Sequence, residues 1–302
     1  MFEKMANQRN LPSIEQLQLE TELAFNWLID GLDRRKKVAF VPNPGNIGDA
    51  TINLACWRYL RSKFRQVEIC TPQQLPPVEY VFVGGGGNFV EPLYHDTASL
   101  VQRLAAHQGI FIFPSTVYGY CKILKNLAGR SRIICRENVS HQFLLNHMPP
   151  ESVYLGHDAA FAIAGQLRTE YADKITKGSK LSAKLFRCDR ERALLEEGGL
   201  DIMGQHHSDW TDMTLAESVI QLAAKYILGF GQIKTDRLHC AILAALLGRE
   251  TIVYPNSYFK NAAVFEHSLS RIPNVNFNAM CPVSSSSEND PILYLGRTTA
   301  IN

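Results

Sequence analysis

The sequence predicts an α/β protein with two Rossmann-like domains facing a cleft. Short apolar runs of strand length alternate with longer helical segments along most of the chain, which is the pattern of doubly wound folds. Polar or glycine-containing loops follow several of these runs, as they do at the ligand-binding edge of parallel sheets. A chain of 302 residues is long enough for two hydrophobic cores of ordinary size.

Composition and charge narrow the class of protein. Hydrophobic residues make up 46% and charged residues 20% of the chain, as in globular proteins. The net charge of +2 is too small to indicate a nucleic-acid partner or an acidic membrane surface. No apolar run approaches the roughly 20 residues that span a bilayer. The N-terminus lacks an apolar signal segment, and the seven cysteines are scattered without a CxxC pair, so we expect a cytoplasmic protein.

The first predicted domain spans residues 36–165, and residues 1–35 contribute a helix over residues 13–32 that packs on it. Its strands are predicted at residues 38–42, 67–70, 78–83, 109–114, 131–135 and 152–155. Its helices are predicted at residues 50–63, 97–108, 121–127 and 138–148, with a polar loop over residues 115–119.

Residues 165–180 are polar and contain no strand-like run, which predicts a linker or a mobile excursion between the domains. A second domain is predicted over residues 181–280. Its strands are predicted at residues 181–187, 227–230 and 250–254, and its helices at residues 191–197, 213–226, 240–247 and 261–269. The tail over residues 281–302 contains four serines and is predicted to be loosely ordered.

The segment over residues 234–248 is the strongest candidate for a binding site. Residues 240–247 include no charged residue and predict a helix that is buried on every side. Four ionisable side chains precede it: Lys234, Asp236, Arg237 and His239. With Thr235 or Asp236 as the N-cap, backbone N–H groups, the helix dipole, a guanidinium and an imidazole would meet at one point. This pattern favours an anion site, although a buried helix with a merely polar capping turn would show it too.

A glycine-containing loop follows the first predicted strand, at residues 43–49. Gly45 and Gly48 permit a ligand to approach the backbone closely. Asp49 could either cap the following helix or serve as a base. The loop does not match a P-loop, because no Gly-Lys-Ser/Thr follows it.

Four consecutive glycines follow another strand, at residues 84–87. A tight turn needs only one or two glycines, so this run favours a loop that binds a ligand. A dinucleotide fingerprint would place glycine where Phe89 stands, which makes a nicotinamide or flavin site a weak interpretation.

The candidate site residues share one position, the carboxyl end of a predicted strand. They are Asn46, Asp49, residues 84–88, Arg136, Asp158, Arg187, Arg237 with His239, and residues 256–260. Ligands bind at this edge of open α/β sheets. Arginine at three such ends indicates an anionic ligand that carries a carboxylate, a phosphate or both. The sequence shows no nucleophilic triad and no metal-binding spacing, so we assign no metal.

Together these motifs resemble those of the polysaccharide pyruvyl transferases, closest to the branch of bacterial exopolysaccharide biosynthesis. They run in family order over residues 36–270: Gly-Asn-Ile-Gly-Asp at 45–49, Gly-Gly-Gly-Gly-Asn-Phe at 84–89, Arg136-Glu137 with Ser140, His157-Asp158, Phe-Arg-Cys-Asp at 186–189, Thr-Asp-Arg-Leu-His at 235–239, and Asn-Ser-Tyr-Phe-Lys at 256–260. The resemblance implies two Rossmann-like domains with a cleft, as in GT-B glycosyltransferases. It also implies phosphoenolpyruvate as co-substrate, with no further cofactor.

The resemblance also implies roles for particular residues. In the family the Arg-Leu-His element binds the donor, which would make Arg237, Leu238 and His239 donor ligands. We expect further donor contacts from Arg136, Arg187, Gly85, Gly86 and Asn88, and acceptor contacts from Asn46, Asn256 and Lys260. The candidate acid and bases are His239, Asp49 and Asp158. The expected acceptor is a saccharide or lipid-linked sugar, which is compatible with peripheral association with a membrane-bound glycan assembly.

Two other classes of function stay open. A GT-B glycosyltransferase with a nucleotide-sugar donor would also need glycine loops and a basic site, but the second half of the chain shows no convincing ribose-binding Glu motif. A non-catalytic stress or scaffold protein on the same fold would be expected to have lost its polar cluster. Here Asp49, Arg237 and His239 are all present.

Overall fold

The computed structural model describes residues 13–104, 109–175, 179–193 and 198–279. The chain divides into two compact units. The first comprises Met1–Asn43, Ile52–Glu170 and Asp209–Thr211, and the second Pro44–Thr51, Tyr171–Ser208 and Asp212–Asn302. The short segment Pro44–Thr51 therefore groups with the second unit, although it lies early in the sequence.

The first unit is built on a parallel sheet of seven strands. They are β1 Lys37–Val41, β2 Gln66–Ile69, β3 Tyr80–Val83, β4 Gly86–Val90, β5 Gly109–Tyr118, β6 Ser131–Cys135 and β7 Val153–Leu155. The order is β2-β1-β3-β5-β6-β7, and β4 pairs with the second half of β5. The buried strands are apolar almost throughout, as is usual for a parallel sheet covered on both faces.

The α-helices that begin between residues 13 and 164 are α1 Ser13–Leu28, α2 Ile47–Lys63, α3 Asp96–Leu104, α4 Cys121–Leu127, α5 Asn138–Leu145 and α6 Ala164–Glu170. In α1 the buried side chains recur every three or four residues, which explains why it forms an amphipathic helix. α2 starts in the segment that groups with the second unit and continues in the first.

The glycine run differs from its prediction as a loop, because Gly86 begins strand β4. The predicted loop at residues 115–119 is wrong for the same reason, since β5 continues to Tyr118 and pairs with β4. Side chains at Gly84 and Gly85 would overlap the Asn53 amide and the Pro114 carbonyl, respectively. Close packing within the protein thus accounts for these glycines without a ligand.

The second unit contains a parallel sheet of four strands in the order β11-β10-β9-β8. The strands are β8 Ser182–Lys184, β9 Gln232–Thr235, β10 Glu250–Val253 and β11 Val275–Phe277. The α-helices are α7 Ala172–Ile175, α8 Met213–Leu228, α9 Leu238–Leu246 and α10 Lys260–His267. Apart from His239, every side chain of α9 is buried, which confirms the predicted core helix. The α/β class with parallel sheets is confirmed as well.

The predicted linker over residues 165–180 contains α6 and α7 in its described part, and the division between the two units falls within it, between Glu170 and Tyr171. Leu167 and Tyr171 are buried there, one helical turn apart. The predicted strand at residues 227–230 is wrong, because α8 continues to Leu228 and β9 begins only at Gln232.

Some predictions fall wholly or partly outside the described residues: the ends of the helices predicted at residues 97–108 and 191–197, and the tail at residues 281–302. The described beginning of the second of these helices is a turn, in which the Arg192 N–H donates to the Asp189 carbonyl at 3.0 Å. Among the described helices, none combines the length and the apolar character needed to cross a bilayer.

Candidate functional site

Helix α9 begins at a turn formed by Arg237, whose carbonyl accepts the N–H of Ala241 at 3.0 Å. Arg237 has extended backbone angles, φ −88° and ψ 110°, and is the N-cap. The prediction of Thr235 or Asp236 as N-cap is wrong, because Thr235 ends β9 and its Oγ1 accepts the Arg237 N–H at 3.0 Å. The first helical turn therefore starts at Leu238, and its N–H groups point out of the helix end.

The Arg237 guanidinium is buried and binds two carboxylates. Its Nε donates to Asp201 Oδ1 at 2.9 Å and its Nη2 donates to Asp201 Oδ2. Nη2 also lies 2.9 Å from Asp189 Oδ2. In the described part of the chain no residue accepts from Nη1. That N–H group is therefore left to bind a further acceptor.

Arg187 lies at the end of a neighbouring segment and shares Asp189 with Arg237. Its Nε and Nη2 donate to Asp189 at 2.7 and 3.1 Å in a two-pronged contact, and its Nη1 donates to Glu191 at 2.6 Å. Burial acts to lower the pKa of Arg187, but the Glu191 and Asp189 carboxylates outweigh it and raise the pKa above its usual value. Arg187 is therefore a permanent cation.

Glu191 brings together three predicted site residues. Its Oε2 accepts from Arg187 Nη1 at 2.6 Å, from Asn256 Nδ2 at 2.9 Å and from Lys260 Nζ at 2.6 Å. Asn256 and Lys260 were predicted to contact the acceptor. The structure instead connects them, through Glu191, to the arginine that was predicted to bind the donor.

Asp236 is completely buried between the two arginine-bearing segments. Its Oδ1 accepts the backbone N–H of Arg187 at 2.8 Å, and its own carbonyl accepts Asn261 Nδ2 at 2.7 Å. Its Oδ2 is buried and accepts from none of the described residues. Burial raises the pKa of Asp236 to about 6, although Arg187 and Arg237 act to lower it.

The turn before α2 forms a reciprocal cap. The Asn46 carbonyl accepts the Ala50 N–H at 3.1 Å, and Asn46 Oδ1 accepts the Gly48 N–H at 2.7 Å. Asp49 Oδ2 in turn accepts the Asn46 N–H at 2.9 Å. This is the geometry of a capping box with Asn46 as the N-cap. The capping role considered for Asp49 is thus observed, from the third helical position.

His239 packs directly against this turn. A methyl group on Gly48 would lie 2.6 Å from His239 Cγ and closer still to Nδ1. Gly48 and His239 each occupy the second position of a helix, α2 and α9, respectively. The positive ends of two helix dipoles therefore meet at one half-buried imidazole, an arrangement that favours bound anions.

Arg136 and Asp158 lie in the first unit and bind each other. Arg136 Nη1 donates to Asp158 Oδ2 at 2.7 Å, and Arg136 Nε donates to Thr116 Oγ1 at 2.9 Å. The side chains of Arg136 and Asp158 are 1% and 0% exposed. Asp158 also accepts the Ala160 N–H at 2.9 Å and so caps a short helical turn. A ligand has no access to a pair that is enclosed in this way.

The rest of the Arg136 motif is structural too. Glu137 is the N-cap of α5 and accepts the Ser140 N–H at 2.9 Å, and Ser140 Oγ also donates to Glu137. Ser140 Oγ accepts the Val117 N–H at 2.8 Å and so connects the helix to β5. Burial raises the pKa of Glu137, which these hydrogen bonds oppose.

The three predicted donor ligands of the glycine run also lie in the first unit. The Gly84 and Gly85 carbonyls accept from Asn43 Nδ2 at 2.6 and 2.8 Å. Gly86 has φ +131°, which is accessible mainly to glycine. Gly86 is buried, and Asn88 is half-buried on β4.

Sequence reasoning missed Glu191 and Asp201 in this cluster. Glu191 could have been suspected, because it follows Arg187 by four residues. Asp201 had no local signal, since its partner Arg237 lies 36 positions away. Among the described residues there is no group of three His, Cys, Asp or Glu side chains arranged to hold a metal ion.

Comparisons with known proteins point to one family. A family model described as polysaccharide pyruvyl transferase matches residues 46–258. EpsO of Bacillus subtilis (strain 168), provisionally named a pyruvyl transferase, is 22% identical over 317 residues, which cover 87% of this chain and 94% of that protein. A crystal structure of a functionally uncharacterised protein from Klebsiella pneumoniae subsp. pneumoniae NTUH-K2044 is similar with a TM-score of 0.73 and 28% identity, over 86% of this chain and 99% of that one.

Proposed function

Because the chain belongs to the polysaccharide pyruvyl transferase family, we propose that it transfers the pyruvyl group of phosphoenolpyruvate to sugar hydroxyls. The acceptor is a cell-surface polysaccharide or its precursor. The products are a pyruvate ketal and inorganic phosphate. The family membership supports the class of transferase, and the second unit supports the choice of donor.

The groups around Arg237 and His239 are the observation that supports phosphoenolpyruvate as the donor. Both residues lie in the first turn of α9, and His239 packs against Gly48 at the start of α2. Two helix N-termini, an imidazole and the Nη1 group of Arg237 suit an anion such as phosphate. Arg187 lies beside Arg237 across the shared Asp189 carboxylate and suits a second anionic group. Phosphoenolpyruvate carries a phosphate and a carboxylate together.

The proposed reaction has three steps. Protonation of the CH₂ carbon of phosphoenolpyruvate gives a cationic carbon that is stabilised by the attached oxygen. A sugar hydroxyl attacks that carbon and loses its proton, and the C–O bond to phosphate breaks. A second hydroxyl of the sugar then attacks the same carbon and closes the ketal. The proton supplied in the first step is balanced by those that the two hydroxyls release, one of which leaves with the phosphate.

The structure suggests how the side chains divide this work. His239 is suited to supply or hold a proton near the donor, since an imidazole can both donate and accept one. Arg237 and Arg187 would hold the negative charge of the donor and of the departing phosphate. Asp49 is a candidate base for the acceptor hydroxyl and lies next to Gly48 in sequence. Asp158 takes no part in this proposal, because its carboxylate is enclosed with Arg136.

The test is release of inorganic phosphate from phosphoenolpyruvate in the presence of a panel of free and lipid-linked β-galactosides and hexosamines. We expect Arg237→Ala to reduce kcat/KM about 100-fold to 1000-fold, the usual loss on removal of a charge-stabilising donor. His239→Ala should reduce it by about 100-fold or more, as expected for a general acid. Arg35→Ala removes an exposed guanidinium of the first unit and serves as control.

Turnover that persists in both the Arg237 and the His239 variant would refute the donor site. Release of a nucleotide from a nucleotide-sugar, without turnover of phosphoenolpyruvate, would instead identify a glycosyltransferase. The two reactions leave different products, so a single set of incubations separates them.

A further inference from the structure

We infer that the Asp189 carboxylate lies where an anionic group of the donor binds, and that it must turn away before the donor binds. Asp189 would thus act as an internal competitor that sets the affinity of the site for carboxylates and phosphates. The identity of the donor rests on the proposed function. The competition itself concerns any small oxyanion and can be tested with inorganic phosphate alone.

The Asp189 carboxylate has the contacts expected of a bound oxyanion. It accepts from Arg187 Nε at 2.7 Å and Nη2 at 3.1 Å, and lies 2.9 Å from Arg237 Nη2. A carboxylate held by a two-pronged guanidinium and a second arginine reproduces the way proteins bind carboxylate and phosphate ligands. The chain therefore places one of its own anions where two donor-site arginines converge.

The two other carboxylates of the cluster, Asp201 and Glu191, are held more firmly than Asp189. Asp201 is buried and also accepts the backbone N–H groups of Cys188 at 3.2 Å and Gly204 at 3.0 Å. Glu191 is buried and also accepts from Asn256 and Lys260. Both are fixed from several directions and cannot leave without exposing buried donors.

Asp189 differs from both, because its side chain is 41% exposed. Besides the two arginines, its carboxylate accepts only the Glu191 N–H, at 3.1 Å, among the described residues. Asp189 lies in a turn beyond β8. Rotation of its side chain toward solvent would therefore disturb neither a strand nor a helix. It is the exchangeable carboxylate of the cluster.

Both arginines lose an ion pair when Asp189 turns away. Arg187 keeps Glu191 and Arg237 keeps Asp201. The N–H groups that Asp189 accepted from can then donate to an incoming carboxylate or phosphate. The apparent affinity for that anion therefore includes the free-energy cost of moving Asp189.

The test is isothermal titration of the full-length protein with inorganic phosphate and, separately, with phosphoenolpyruvate. Asp189→Asn removes the charge, and Asp189→Ser removes the carboxylate altogether. Because the ion pair is partly exposed, we expect each variant to bind either anion about fivefold more tightly than the wild type. Affinity that is unchanged or weaker in both variants would overturn the inference, as would the absence of phosphate binding in wild type and variants alike.

Asp33→Asn is the matched control, because Asp33 forms the same two-pronged contact with an arginine two residues away, Arg35, on the first unit. It changes the net charge by the same amount and should leave both affinities unchanged. An equal gain in this control would reduce the effect to net charge and overturn the inference. Failure of the proposed function would appear elsewhere, as absent turnover of phosphoenolpyruvate by the wild type, while the phosphate titration still decides the role of Asp189.

Discussion

Each unit contains a buried guanidinium cluster, and the two differ in how their charges are satisfied. In the first unit, Arg136 meets Asp158 and Thr116, and the ion pair is almost fully enclosed. In the second unit, Arg187 and Arg237 share Asp189, whose side chain is 41% exposed. We expect the enclosed pair to stabilise the fold only. The partly exposed cluster is the one that we propose to bind a ligand.

The comparison shows why position at a strand end is not enough to identify a site. Arg136 and Arg187 both stand at the carboxyl end of a predicted strand, and both belong to motifs that resemble those of the family. Around Arg136, that motif stabilises a helix start and an ion pair. Around Arg187, it supplies carboxylates that bind the arginines of the proposed donor site.

The largest expected effect is on the enclosed pair. Arg136→Ala would leave the Asp158 carboxylate buried without its cation, so we expect it to lower the free energy of unfolding by about 3 to 5 kcal/mol. Urea denaturation followed by circular dichroism measures this loss. A variant that still folds should keep its affinity for phosphoenolpyruvate, since we propose that the donor binds at Arg187 and Arg237 and not at the enclosed pair.

Arg132→Ala is a suitable control, because Arg132 lies on β6, the strand that ends directly before Arg136. Arg132 is partly exposed and donates only to carbonyl groups, including that of Asp30 at 2.7 Å. Its loss should cost about 1 kcal/mol. Equal destabilisation in the two variants would contradict the assignment of Arg136 as half of a structural pair.

The next effect concerns Asp236, the half-satisfied carboxylate of the second unit. Its pKa of about 6 lies above the value of 3.8 expected in the unfolded chain. Because the folded pKa is raised, the stability of the wild type is fully present below about pH 4 and falls as the pH rises to about 6. Asp236→Asn removes this loss, so its free energy of unfolding should exceed that of the wild type by at most about 2 to 3 kcal/mol at pH 7.

Chemical denaturation at several pH values between 4 and 8 measures this difference. The free energy of unfolding of Asp236→Asn should increasingly exceed that of the wild type as the pH rises, and the difference should be constant above pH 7. Asp33→Asn provides the opposite case, because hydrogen bonds from Arg35 lower the pKa of Asp33 to about 2. Its difference from the wild type should not change over the same range, since Asp33 is ionised there in the folded state and mostly so in the unfolded one. If the difference in free energy of unfolding between variant and wild type changed with pH in the same way for both variants, Asp236 would not have the raised pKa that its burial predicts.

The smallest effect tests the contact between the two helix starts. Gly48→Ala adds a methyl group that overlaps the His239 ring and must displace it. We expect kcat for phosphate release to fall by about tenfold, because a shift of roughly 1 Å at a reacting group has effects of this size or larger. The added methyl group would also lie 2.8 Å from His239 Cβ, so we expect the free energy of unfolding to fall by about 1 to 3 kcal/mol.

Gly165→Ala is the matched control, because only the flexible end of Gln18 lies near the added methyl group, at 3.2 Å. It should leave kcat unchanged. If Gly48→Ala retains full activity, His239 does not need its observed position, and its assignment as the acid would fail.

Local sequence patterns predicted much of the fold. The alternation of apolar runs and helical segments predicted the class, and the uncharged run after Arg237 predicted the buried helix α9. The buried positions Ala164, Leu167 and Tyr171 follow a helical period that the polar composition around them obscured. The strand β9 was misplaced because the apolar end of α8 has the composition of a strand.

The site was predictable in its cations and less so in its carboxylates. Arg187, Arg237 and His239 stand in recognisable motifs. Their partners are set by tertiary packing, as in the bond between Arg237 and Asp201. The approach of Gly48 to His239 joins residues that lie far apart in the sequence. Neither spacing nor composition encodes such pairs, so only the folded chain distinguishes the closed cluster from the open one.

The most direct test of the central claim is the mass of the acceptor after incubation with phosphoenolpyruvate. We predict that the wild type adds one pyruvyl group to a sugar acceptor and releases one phosphate for each transfer, and that folded Arg237→Ala does so about 100-fold to 1000-fold more slowly. An acceptor that gains a hexose from a nucleotide-sugar, or that Arg237→Ala pyruvylates at the rate of the wild type, would contradict the account.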